Sequence, residues 1–73
     1  MKTWDETKGK RIDTPKKMKL FFKEIEDVCL KYNLSISHED SHGGFIIEEY
    51  DKYNIDWLNC ASKNYGRKLK EDN

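Results

Sequence analysis

Thr14 and Pro15 open the segment that most restricts how this chain can fold. A threonine hydroxyl can accept from an orphan amide of a first helical turn, and proline tolerates the first helical position because the amide it lacks has no partner there. From this point Met18, Phe21, Phe22, Ile25, Val28, Cys29 and Tyr32 recur at intervals of three and four, while Lys19, Lys23, Glu24, Glu26, Asp27 and Lys31 fill the positions between them. The spacing predicts one amphipathic helix from Pro15 to about Tyr32, closed by Asn33 in the left-handed conformation. Leu20 and Leu30 fall off the stripe and suggest a second contact surface.

Two short β-prone runs follow. Leu34 to His38 alternates Leu, Ser, Ile, Ser, His, and Phe45 to Tyr50 reads Phe, Ile, Ile, Glu, Glu, Tyr. Residues directly opposite in an antiparallel pair share a face of the sheet. Pairing His38 with Phe45 and Ile36 with Ile47 therefore gathers Leu34, Ile36, Phe45 and Ile47 on one face, expected to lie against the helix. Ser35, Ser37, Ile46 and Tyr50 are expected to face outward. The connecting loop runs from Glu39 to Gly44, and its adjacent glycines can take positive φ and turn their amides outward as an anion-binding nest.

Residues 1–13 are polar and aperiodic, which predicts a flexible arm in which Trp4 is the one large apolar group. A second helix is expected from Asp51 or Asn54 to about Lys63, with Trp57 flanking its apolar face. Gly66 then releases a tail, 67–73, expected to fray. No internal repeat is apparent in the residues. The fold class is thus α+β: a single small α-β-β-α domain over 14–66, an antiparallel hairpin packed on a long N-terminal helix. A lone two-stranded hairpin is poorly stable in water, so the sheet is expected to extend across a homodimer or larger homo-oligomer.

Size and charge exclude several classes. A chain of 73 residues, 36% hydrophobic and 38% charged, has little apolar material for a core or a sheltered pocket. Its fourteen basic and fourteen acidic residues cancel, which argues against duplex nucleic acid as a partner. No apolar run reaches membrane-spanning length and the first residues lack the apolar segment of a signal peptide, so a cytoplasmic protein is expected, with no membrane partner. Cys29 and Cys60 sit in apolar helical patterns and read as reduced core thiols.

Chemically versatile side chains concentrate in the hairpin loop. His38, Asp40 and His42, with Glu39 and Glu48 nearby, offer donors that suit zinc in kind, but their spacing matches no established metal motif. Asp40 and Ser41 equally suit hydrogen bonding to the turn backbone. Ser41 with a histidine could be drawn as a nucleophile and base, yet neither a nucleophile elbow nor a P-loop is present. No catalytic residue, metal or cofactor is assigned. The candidate ligand-binding set is His38, Glu39, Asp40, Ser41, His42, Gly43 and Gly44, with Tyr50 and Tyr53 for stacking and Arg67 for charge; Lys52, Trp57 and Tyr65 are further candidates.

The segments FKEIEDVC from Phe22 and LSISHEDSHGGFIIE from Leu34, with Trp57-Leu58 in the last helix, resemble small, mostly uncharacterised accessory proteins of tailed phages and prophages that carry a His-Glu-Asp-x-His-Gly segment. The likeness covers about residues 19–61, and Gly44 stands where alanine is expected. The resemblance implies a counter-defence role in host cytoplasm. Sequestration of a small anionic nucleotide signal without turnover is the expectation. The alternatives are inhibition of a host protein by direct contact, and a metal-dependent hydrolase assembled at a subunit interface.

Overall fold

The computed structural model describes residues 1–41 and 43–66. Six elements follow one another: β1 (Lys2–Asp5), β2 (Lys10–Asp13), α1 (Lys16–Tyr32), β3 (Leu34–His38), β4 (Phe45–Glu49) and α2 (Lys52–Leu58). The α+β class is as expected, but the order is not, because a second hairpin precedes the long helix. The chain is a ββα unit written twice.

Residues 2–13 are therefore not a flexible arm. β1 and β2 pair antiparallel, Thr3 opposite Ile12 and Asp5 opposite Lys10. The turn between them is closed by the Gly9 amide donating to the Asp5 carbonyl at 2.7 Å, and Gly9 supplies the φ of 65° that an L side chain resists. The Asp5 carboxylate reinforces it, Oδ1 accepting from the Thr7 amide at 2.9 Å and the Thr7 hydroxyl at 2.6 Å. The inward face of this hairpin carries Thr3 and Asp5, both buried, so no apolar alternation advertised it.

The second hairpin repeats that turn. Gly43, with φ of 70°, donates to the Glu39 carbonyl at 3.0 Å, and the Glu39 amide donates to the Gly44 carbonyl at 2.8 Å. In sequence the two turns read Asp5-Glu6-Thr7-Lys8-Gly9 and Glu39-Asp40-Ser41-His42-Gly43, in both cases acid, acid, hydroxyl, base, glycine.

Between them, α1 ends as expected at Asn33, whose φ of 56° brings its amide back to the carbonyls of Cys29 and Leu30. Its start differs. Pro15 is the N-cap and no side chain caps the helix; the Thr14 hydroxyl is instead 2.7 Å from that of Thr3, a buried hydrogen bond that ties the helix entry to β1. The apolar stripe is divided as well. Met18, Phe22 and Cys29 are buried, whereas Phe21, Val28 and Tyr32 are exposed.

The β3–β4 register is the expected one, Ile36 opposite Ile47 and His38 opposite Phe45. Its orientation is reversed. Ser35 is 1% exposed, while Leu34, Ile36, Phe45 and Ile47 are all exposed. The cause is α2, whose Asn54 is buried and donates to Ser35 Oγ at 2.9 Å and to Glu48 Oε2 at 3.1 Å, so that hydrogen bonding draws the serine face inward. Both helices pack on β3; β4 packs chiefly on β3 and all five of its residues are exposed.

α2 is shorter than expected, ending at Leu58 rather than near Lys63, and is capped by Asp51, whose carboxylate accepts from the Tyr53 amide at 2.9 Å. The chain then crosses back to β1. The Lys63 amide donates to the Trp4 carbonyl and the Glu6 amide to the Lys63 carbonyl, each at 2.8 Å, adding a parallel bridge to the edge of β1. The Lys63 ammonium lies 3.8 Å from the buried Asp5 Oδ2, donates to the Tyr65 carbonyl at 2.6 Å and sits 4.4 Å from the centre of the Tyr65 ring. Cys29 is a buried free thiol as expected, but Cys60 is exposed. The expected tail, 67–73, lies outside the described residues.

Candidate functional site

Where β3 runs alongside the end of α2 an open cleft of about 430 Å³ forms, lined by Ile36, Ser37, His38 and Phe45 from the hairpin and by Trp57, Leu58, Cys60, Ala61 and Ser62 from the helix end and the segment after it. It exists because α2 stops early: Asn54 and Ile55 are buried and hold the helix start against the body, while the turn after Leu58 leads the chain away and leaves Trp57 59% exposed. Trp57 is thus a wall of the cleft.

His38 stands at the mouth. Its ring lies edge-on to Phe45, with centroids 6.1 Å apart and planes inclined at 76°, and its Nδ1 is 3.3 Å from Asp40 Oδ1. A carboxylate at that distance helps to orient the imidazole ring. Phe45 and Trp57 offer flat apolar faces, and His38 offers a hydrogen-bonding ring edge. Chemically, the arrangement can grip a flat, partly apolar molecule and read one polar edge of it.

Of the described residues expected to bind ligand, His38 and the further candidate Trp57 border this cleft. Glu39, Asp40, Ser41, Gly43 and Gly44 form the turn beyond it, Tyr53 is exposed on α2 and Tyr50 is half-buried at the end of the hairpin. His42 and Arg67 lie outside the described residues. The Gly43 amide is engaged by the Glu39 carbonyl and so is not turned outward as expected. Among the described residues no group of three or more His, Cys, Asp or Glu side chains converges as a metal centre requires. The cleft residues missed from sequence were Ile36, Ser37, Phe45, Leu58 and the 60–62 segment, all apolar or small; the off-stripe position of Trp57 was the available signal.

Behind the cleft a polar network fixes the hairpin to α2. The Ser37 hydroxyl and then the Asn54 amide hold the Glu48 carboxyl below the usual carboxylate range, against the opposing effect of burial. The Ser35 hydroxyl donates to the Glu49 carbonyl at 2.8 Å and receives the Asn54 amide.

In comparisons with known proteins, no family model, curated protein or solved structure matches this chain.

Proposed function

We propose that this protein acts by binding and not by turnover, sequestering a small, flat, nucleotide-derived ligand in the cleft between the second hairpin and the end of α2. The observation that carries this reading is the cleft itself: apolar and aromatic faces from Phe45 and Trp57 with His38 at the rim suit a base ring and one polar edge. His38 with Asp40 lies open to water, with side chains 48% and 86% exposed, and lacks the desolvated surroundings that acid and base chemistry exploits. A counter-defence role in phage-infected cytoplasm fits a ligand held intact.

The test is equilibrium dialysis against a panel of cyclic mono- and dinucleotides, followed by heat denaturation and chromatography of what is released. The expected result is depletion from the free pool and recovery of the unchanged compound, with Trp57→Ala reducing retention at least tenfold while the far-ultraviolet spectrum is preserved. Recovery of a cleaved product would replace sequestration with catalysis, and absence of depletion across the panel would remove the nucleotide reading.

A second reading is inhibition of a host protein by contact. The exposed half of the α1 stripe, Phe21, Val28 and Tyr32, favours it, since three large apolar groups at helical spacing are a common docking pattern.

A further inference from the structure

The two hairpins treat their edges differently. β2 presents Lys10, Arg11 and Asp13, the charged composition by which proteins keep an open edge from pairing, and β1 is bridged by the chain at Lys63. β4 is not bridged among the described residues, and its charges are confined to Glu48 and Glu49 at one end. It carries Phe45, Ile46 and Ile47 in succession, and Phe45 and Ile47 are 78% and 61% exposed.

The backbone of this strand is oriented for pairing. The Glu39 amide bonds the Gly44 carbonyl and the Tyr50 amide bonds the Asn33 carbonyl, so by ladder alternation Gly44, Ile46 and Glu48 bond toward β3. The amides and carbonyls of Phe45 and Ile47 consequently point to the open side.

We propose that β4 pairs antiparallel with β4 of a second copy of this chain about a two-fold axis at Ile46, making a four-stranded sheet in the order β3-β4-β4-β3. Side-chain chemistry selects this register. Centred on Ile46, Phe45 faces the second copy's Ile47, and with Ile36 of each copy these residues form one continuous apolar band. Glu48 then lies opposite Gly44, where nothing obstructs its hydration. Centred on Ile47, Phe45 would face Glu49 and Ile46 would face Glu48; centred on Glu48, two like charges would meet directly. The occupant is a second copy because the strand is complementary to itself. The inference stands on β4 alone and does not rest on the ligand reading.

Sedimentation of the full chain at about 100 µM, a concentration that populates even a micromolar-affinity dimer, is expected to give twice the monomer mass. Ile47→Lys, at a position already exposed in the monomer, is expected to give the monomer mass with an unchanged helical signal. In a Cys60→Ser background, Ile46→Cys is expected to form a covalent dimer under mild oxidation, because the two Cα atoms of a non-hydrogen-bonded pair lie about 4.5 Å apart, within the span of a disulfide. Ile47→Cys in the same background is expected to stay unlinked. A monomer mass for the unmodified chain, or cross-linking of the Ile47 variant in place of the Ile46 variant, overturns the proposal.

Discussion

The side-chain amide of Asn54 donates to Ser35 Oγ at 2.9 Å inside the protein, so α2 is joined to β3 by a hydrogen bond where alternation called for apolar contact. The same amide reaches Glu48 at 3.1 Å, linking the helix to both strands. Asn54→Ala is expected to lower stability by about 1–3 kcal/mol, because Ser35 and the strands are left with unmatched groups in a buried place. Urea denaturation measures it; a change within about 0.5 kcal/mol, typical of an unimportant surface position, would show that the network does not set the orientation of the hairpin.

Acid should loosen both ends of the molecule. The Thr7 hydroxyl, opposed by burial and aided by the Thr7 amide and Lys63, holds the Asp5 carboxyl below its ordinary value, and Ser37 and Asn54 do the same for Glu48. Depressed carboxyl values contribute stability that is fully present above the unfolded values and is lost as pH falls through the folded ones. The denaturation midpoint is expected to be flat from pH 7 to about pH 5 and to drop below about pH 4. Asp5→Asn should remove part of that drop, and an unaltered acid limb in this variant would show that Asp5 has no part in it.

Two adjacent glycines should respond oppositely to the same change. Gly43 needs its φ of 70°, whereas Gly44 has ordinary backbone and open space where a Cβ would stand. Gly43→Ala is expected to cost about 1–2 kcal/mol, and Gly44→Ala to be neutral or stabilising by a few tenths, since it restricts the unfolded chain. Thermal melts of the pair decide the matter, with equal losses counting against the turn described.

Phe21 and Phe22 separate the two halves of the helical stripe. Phe22 is buried and Phe21 is 61% exposed. Truncation of Phe22 to alanine is expected to cost about 3–5 kcal/mol, and truncation of Phe21 to change stability by no more than about 0.5 kcal/mol in the isolated monomer. Similar losses in both variants would mean that the whole stripe is covered.

What sequence reveals here depends on which forces shape each part. α1, the left-handed Asn33 and the β3–β4 register were legible because apolar periodicity and cross-strand matching are local signals. The inward turn of Ser35 was not, because it depends on Asn54, distant in sequence and polar, and hydrophobic patterning assigns such residues to the surface. β1 and β2 were hidden for the same reason, since their buried groups are Thr3 and Asp5. At the candidate site His38 was legible from its chemistry and Trp57 from its place beside the apolar face of the last helix, while Phe45 was expected against α1 and instead borders the opening left by the early end of α2.

The bridge between Asp5 and Lys63 bears on how the molecule is made. During synthesis the opening hairpin emerges first, yet the strand segment and ammonium that secure it are among the last described residues to leave the ribosome. Nascent chains arrested short of Lys63 should therefore be cut readily by protease before α1, and resistance there should appear only once that lysine has cleared the exit tunnel.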